Sequence, residues 1–120
     1  MTTQEILEAA RAAKTAVALS DGTTRNAALC GMADALGAPE HLDAILAANA
    51  EDMAAARGKI SDVMLDRLAL TPQRIAAMAK GIRDVAALPD PVGRVLSRIQ
   101  RPNGLLIEKT AVPMGVIAII

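Results

Sequence analysis

The sequence predicts an α/β protein in which helices come first and strands come last. Apolar residues recur at three- and four-residue steps as far as about residue 88, which is typical of amphipathic helices. From Val92 the period approaches two, and the turn signal Asn103-Gly104 separates two candidate strands. Residues 115–120 then carry no polar side chain, which favours a strand buried on both faces in a sheet covered by helices.

Start and stop signals divide the helical part into five predicted helices. Thr2 and Glu5 have the spacing of a capping box, in which each side chain satisfies a free amide at the helix start. Thr71 followed by Pro72 predicts a later start, because a capping hydroxyl precedes a residue that needs no amide hydrogen at the first helical position. We expect the breaks between helices at residues 20–22, 37–39, 57–61 and 69–71, and the end of the last helix at 88–91.

Asn49 is the one polar residue on the otherwise apolar face of the third predicted helix. A half-buried amide needs hydrogen-bond partners, because leaving its donors and acceptor unpaired is unfavourable. We therefore expect Asn49 either to mark a bend or to bond to neighbouring backbone.

The composition argues against several classes of function. The chain has 13 basic and 13 acidic residues, well mixed, so it offers no electrostatic footprint for nucleic acid or an anionic membrane. It has no Phe, Trp or Tyr on which bases could stack. No apolar run reaches the roughly 18–20 residues of a membrane span. A single cysteine excludes an internal disulfide and fits the reducing cytoplasm, where we expect the protein to act.

Candidate catalytic and metal-binding residues are few. Cys30 lies between Leu29 and Met32 with no histidine nearby in sequence, so we interpret it as a small buried hydrophobe. His41 lies in the first turn of a helix, where we expect it to be solvated. One histidine and one cysteine do not make a metal site of known spacing. We predict no catalytic residue and no metal ligand in this chain.

Three segments resemble the gamma-glutamyl phosphate reductase family, also called glutamate-5-semialdehyde dehydrogenases, within the aldehyde dehydrogenase superfamily. They are SDVMLDRLALTPQR at 61–74, DVAALPDPVGRV at 84–95 and KTAVPMGVIAII at 109–120. The segment LAANAED at 46–52 is similar to an Ala-Asn-x-x-Asp run found across the superfamily. The resemblance covers nearly the whole chain.

The resemblance implies an architecture. Residues 1–91 would be the N-terminal helical part of a cofactor domain, 92–112 a hairpin arm through which copies associate into a homo-oligomer, and 113–120 the first strand of a Rossmann-like sheet. Ligands bind beyond the carboxyl ends of such strands, so Ile120 would stand at the rim of the cofactor site. The catalytic domain would lie outside this chain, and we expect the chain to be the truncated front part of a larger protein.

The resemblance also implies a reaction of proline biosynthesis, the NADPH-dependent reduction of L-glutamate 5-phosphate to L-glutamate 5-semialdehyde and phosphate. A cysteine thiolate would attack the acyl phosphate, and hydride from NADPH would reduce the resulting thioester. That cysteine lies well downstream in the family, and Cys30 does not match it. We expect these 120 residues alone to be inactive, and to be poorly soluble or dependent on a partner.

Two alternatives remain at the level of the sequence. One is a different aldehyde dehydrogenase-like enzyme, which only a substrate pocket outside this chain would distinguish. The other is a non-catalytic helical module that binds a partner through the hairpin arm and the apolar strand. Such a module would need cover for residues 115–120, for example a dimer that buries the exposed strand.

Overall fold

A computed structural model of the chain describes residues 2–119 and shows five α-helices followed by one antiparallel β-hairpin. The helices are α1 (Thr3–Leu19), α2 (Gly22–Gly37), α3 (Pro39–Ala56), α4 (Asp62–Leu68) and α5 (Pro72–Ala86). The strands are β1 (Val95–Gln100) and β2 (Leu106–Thr110). The predicted order, helices first and a hairpin after them, is confirmed.

The helix starts use the capping groups that the sequence predicts. The amide of Thr2 donates to Glu5 Oε2 at 2.6 Å, and the amide of Glu5 donates to Thr2 Oγ1 at 3.3 Å, which completes the capping box. The hydroxyl oxygens of Ser61 and Thr71 each accept the amide hydrogen three residues further on. These bonds satisfy amides that have no partner inside the helix, so the boundaries follow from local chemistry.

Asn49 joins α3 to the connection between α4 and α5. Its side-chain Nδ2 donates to the Leu68 carbonyl at 2.9 Å, and its Oδ1 accepts the Leu70 amide at 2.8 Å. The residue is 8% exposed, so both bonds are shielded from water. The expected backbone partners of Asn49 are confirmed.

The chain divides into two compact units. One comprises α1, the first turn of α2 and the chain from Pro89 onward, and the other is Asn26–Leu88. Within the second unit, α3 contacts both α4 and α5. Its buried residues among those described are Ala33, Asn49, Ile75 and Ala79. This small core is built from side chains of α2, α3 and α5.

The hairpin pairs Arg98 with Glu108 and Gln100 with Leu106 in antiparallel register. At its tip Gly104 adopts a φ of +85°, and the Leu105 amide donates to Asn103 Oδ1 at 3.1 Å. The turn signal of the sequence is therefore confirmed. All residues of both strands are exposed, and the interpretation of the hairpin as an oligomerisation arm stays a prediction.

The predicted buried strand at 115–120 is not present among the described residues. Residues 115–119 belong to no strand and are exposed, with Ile119 93% accessible. A strand exists by hydrogen bonding to a neighbour, and this segment has no sheet partner within residues 2–119. Its assignment to a Rossmann-like sheet therefore remains a prediction.

Candidate functional site

Ile120, the predicted cofactor-site residue, lies outside the described residues. The segment that leads to it lines a cleft of about 210 Å³ against α1, which we call the α1 cleft. Its lining includes Ala13, Lys14, Val17, Arg25, Pro113 and Val116. All of these residues belong to the same compact unit, so the cleft is a feature of that unit alone.

Gly115 brings the backbone close to α1 at the edge of this cleft. Its φ of +95° lies in the left-handed region, which side chains other than glycine adopt at a cost. A Cβ at this position would also lie 3.3 Å from Lys14 Cε. Both the backbone conformation and the contact with the lysine stem therefore favour glycine, and the contact orients the segment that leads to Ile120.

A second contact fixes the chain where it leaves the last helix. The Asp90 carboxylate accepts a hydrogen bond from Arg25 Nη2 and another from the Val92 amide at 3.0 Å. Arg25 Nη1 donates to the Ser20 carbonyl at the end of α1. The Val92 amide first, and then the Arg25 guanidinium, hold the pKa of Asp90 below its ordinary value of 3.8.

Asp21 lies beside this contact and caps α2. Its Oδ1 accepts the Thr24 amide at 2.7 Å. That bond is the largest cause of a lowered pKa at Asp21, followed by the bond to the Thr24 side chain. A carboxylate at this position also suits the positive end of the helix dipole.

The α1 cleft is lined by few ionisable groups. Within residues 2–119, its ionisable lining groups are Lys14 and Arg25, and the rest of the lining is largely apolar. Arg25 is paired with the Asp90 carboxylate and bonded to the Ser20 carbonyl, so Lys14 is the other positive charge beside the apolar floor.

Cys30 and His41 lie outside the cleft. The prediction that Cys30 is buried is wrong, because its thiol is exposed. Helix α2 buries Ala33 among its described residues, and Cys30 lies beyond that small covered patch. His41 is exposed as expected, and its Nδ1 lies 2.9 Å from the Ala35 carbonyl oxygen. Across residues 2–119 no group of three His, Cys, Asp or Glu side chains is arranged to hold a metal ion.

Two arginines were not identified from the sequence. Arg25 meets Asp90, which lies 65 residues away, so no local spacing signals the pair. Arg74 forms a bidentate ion pair with Asp66, at 3.0 and 3.1 Å, and donates to the Ala69 carbonyl at 2.7 Å. Arg74 lies on α5, eight residues after Asp66 on α4, so no spacing within one helix signals this pair either.

This arrangement of five helices followed by a β-hairpin is similar to part of a known class of reductases. Gamma-glutamyl phosphate reductases of Streptococcus pneumoniae strains Hungary19A-6 and JJA are 56% identical to this chain over 117 residues. That match covers 98% of this chain and 27% of each relative. The family resemblance seen in the sequence is therefore confirmed over nearly the whole chain.

A solved structure gives the same result. The crystal structure of gamma-glutamyl phosphate reductase from Thermotoga maritima matches with a TM-score of 0.84 and 33% sequence identity. It covers 92% of this chain and 26% of the solved chain. The chain thus spans about a quarter of the length of the relatives it matches. No protein-family model matches it.

No helix among residues 2–119 is both long enough and apolar enough to cross a membrane.

Proposed function

We propose that this chain is the N-terminal part of a gamma-glutamyl phosphate reductase. The whole protein reduces L-glutamate 5-phosphate with NADPH and a proton, and it yields L-glutamate 5-semialdehyde, phosphate and NADP⁺. This is a step of proline biosynthesis in the cytoplasm. The observation that carries the proposal is 56% identity to reductases of this name over 98% of the chain. Identity at that level favours this reductase over another enzyme of the aldehyde dehydrogenase type.

The chemistry requires groups from the rest of the protein. A cysteine thiolate outside these 120 residues forms a thioester with the γ-glutamyl group and releases phosphate. When bound, NADPH supplies the hydride that converts the thioester to the aldehyde and frees the thiolate. We assign Cys30 no part in this chemistry, because it does not match the catalytic cysteine of the family, which lies well downstream.

The residues of this chain support that chemistry by holding the approach to the cofactor site. Lys14 packs its stem on Gly115, and the apolar residues 115–119 continue toward Ile120, which we assign to the rim of the site. The ionisable groups that line the neighbouring α1 cleft are Lys14 and Arg25, and Arg25 is paired with Asp90, so Lys14 supplies the positive charge for an anionic dinucleotide. Other cofactor contacts belong to parts of the protein outside this chain.

We further propose that residues 92–112 join copies of the protein into a homo-oligomer. The hairpin exposes apolar side chains on its strands, including Leu96, Ile99 and Leu106, each at least 49% accessible. Apolar side chains gathered on a projecting element are typical of an interaction surface. A second copy would cover them and would also pair the free edges of the hairpin.

The function is tested by the reverse reaction of the whole protein. Purified protein should reduce NADP⁺ when given glutamate 5-semialdehyde, and the rate should depend on added inorganic phosphate. Phosphate is required because it must attack the thioester to regenerate the acyl phosphate. An ordinary aldehyde dehydrogenase releases its thioester to water, so a rate independent of phosphate would contradict the proposal and favour the alternative enzyme. Absence of NADP⁺ reduction under all conditions would favour the non-catalytic module.

A further inference from the structure

We propose that Arg25 and Asp90 form a positioning clamp, which sets the direction in which the hairpin arm leaves the corner between α1 and α2. The clamp is a structural feature of one compact unit, since Ser20, Arg25, Asp90 and the hairpin all belong to it. Its consequence for association of the arm rests on the proposed function of residues 92–112. The clamp itself does not depend on the reaction that the protein catalyses.

Asp90 is held from two sides. On one side Arg25 donates to its carboxylate, and the same guanidinium donates to the Ser20 carbonyl at the end of α1. On the other side Asp90 Oδ1 accepts the Val92 amide at 3.0 Å, which closes a local turn. Arg25 thereby links the end of α1 to the first residues after α5. The Arg25 and Asp90 side chains are 24% and 37% exposed, so the ion pair is partly accessible to water and depends on the Ser20 and Val92 bonds for its geometry.

Gly22 makes the close approach possible. It lies at the start of α2, and a Cβ built on it would be 2.7 Å from Asp90 Oδ2. Real Cβ atoms essentially never lie this close to another atom, so with a larger residue at this position either the Asp90 carboxylate or the start of α2 must shift. The absence of a side chain at Gly22 therefore indicates a tightly fitted contact between the α2 start and the Asp90 carboxylate.

A short connection joins the clamp to the base of the hairpin arm. Pro89 and Pro91 flank Asp90, and each restricts its backbone to a fixed φ. Two bonds then close the base of the hairpin: the Gly93 amide donates to the Ala111 carbonyl, and the Ala111 amide donates to the Arg94 carbonyl, both at 2.9 Å. Because the hairpin base begins three residues after Asp90, little chain remains in which movement could be absorbed.

The other end of the arm meets the same corner. After β2 the chain reaches Gly115, which packs under the Lys14 stem of α1. The hairpin is thus anchored at its entry by Arg25 and at its exit by Lys14. Two contacts within one compact unit restrict the direction of the arm more than a single contact would.

The test is hydrogen exchange on the whole protein that contains this chain, comparing Gly22→Ala with the matched control Gly31→Ala. Gly31 lies within α2, and an added Cβ there would have no atom within 4 Å. Alanine at this position therefore makes no new contact and only raises the helix propensity. In Gly22→Ala we expect the amides of Val92, Gly93 and Ala111 to exchange about ten-fold faster. We expect α3 and α5 to be unchanged, and the control to leave the hairpin base unchanged.

Two results would overturn the proposal. One is an unchanged exchange rate at the hairpin base in Gly22→Ala. The other is faster exchange throughout α3 and α5, which would indicate general destabilisation and no positioning role.

The variants Arg25→Gln, Asp90→Asn and their double combination give an independent measurement. If the two side chains act as one clamp, the amides at the hairpin base should exchange no faster in the double variant than in the more affected single variant. Additive effects would contradict a shared role.

Sedimentation of the same variants tests whether the clamp affects association between copies of the whole protein. A misdirected arm should weaken association between copies in Gly22→Ala and Asp90→Asn but not in Gly31→Ala. Altered exchange with unchanged association would keep the clamp and reject the proposed function of the arm. Turnover is measured separately, so failure of the proposed reductase activity would remain distinguishable from failure of the clamp.

Discussion

Asn49 shows how a single polar side chain can determine the path of the backbone. It lies on the apolar face of α3, where a leucine would bury more apolar surface. The amide instead satisfies the carbonyl of Leu68, the last residue of α4, and the backbone amide of Leu70 in the connection to α5. Those backbone groups belong to no helix ladder at that point, so without Asn49 they would be left unpaired in a half-buried place.

Replacing Asn49 by alanine should loosen the connection between α4 and α5. Two backbone groups would lose their partners, a loss of roughly 2 kcal/mol, or about 30-fold in local exchange of the Leu70 amide. Hydrogen exchange of the whole protein measures this directly. Asn26→Ala is the matched control, because Asn26 is exposed on α2 and alanine is the better helix former. Equal exchange rates in the two variants would show that the Asn49 bonds carry no stability.

At the scale of elements, the helices are determined locally and the hairpin is determined by its turn. Capping side chains lie at the starts of α1, α4 and α5. Each accepts a hydrogen bond from the backbone amide three residues further on, as the spacing in the sequence predicts. The hairpin depends on Gly104, because its φ of +85° lets the chain reverse between β1 and β2. The value of a glycine to this fold therefore depends on its backbone conformation.

Alanine at two glycines should have opposite effects on stability. Gly104→Ala places a Cβ in the left-handed region and should destabilise the hairpin by about 1 kcal/mol. Gly31→Ala adds the same atom inside α2, where φ is helical and space is open, and should stabilise the helix by up to about 1 kcal/mol. Thermal unfolding of both variants gives the signs, and a Gly104→Ala protein as stable as the parent would refute the assigned role of the turn.

For the whole molecule, the sequence predicted those features that depend on near neighbours. Helix starts, the turn at Asn103 and Gly104, and the need of Asn49 for partners all follow from a few adjacent residues. The pairing of Arg25 with Asp90 spans 65 positions and could not be read from spacing. The exposure of Cys30 was missed because apolar neighbours in sequence do not show how much of a helix face the fold covers.

Residues 115–119 form no strand for a related reason, and the strand at 115–120 remains a prediction. Six consecutive apolar residues indicate burial, but burial and strand hydrogen bonds both require a partner that the residues themselves do not supply. Within residues 2–119 that partner is absent, so the segment is exposed, as are Leu19 and Met114 at 82% and 90%. Apolar surface of this extent favours the proposal that further protein packs against these 120 residues.

This exposure predicts opposite effects of one substitution in two settings. The isolated 120-residue chain should show no NADPH-coupled turnover and should self-associate, because its apolar segment has no cover. Ile119→Asp should reduce that self-association, measured by light scattering, since the carboxylate is accommodated easily on an exposed segment. In the whole protein the same change should lower the unfolding temperature and activity, because a charge would enter a buried strand without a partner.

Leu19→Asp provides the comparison for this test. Leu19 is similarly exposed but lies at the end of α1, outside the predicted sheet. The Leu19→Asp variant should also reduce self-association of the isolated chain, because it places a charge on exposed apolar surface. It should lower the unfolding temperature and activity of the whole protein less than Ile119→Asp does. If Ile119→Asp leaves the whole protein fully stable and active, residues 115–120 do not form a buried strand there. Turnover by the isolated chain would refute the assignment of the chemistry to the remainder of the protein.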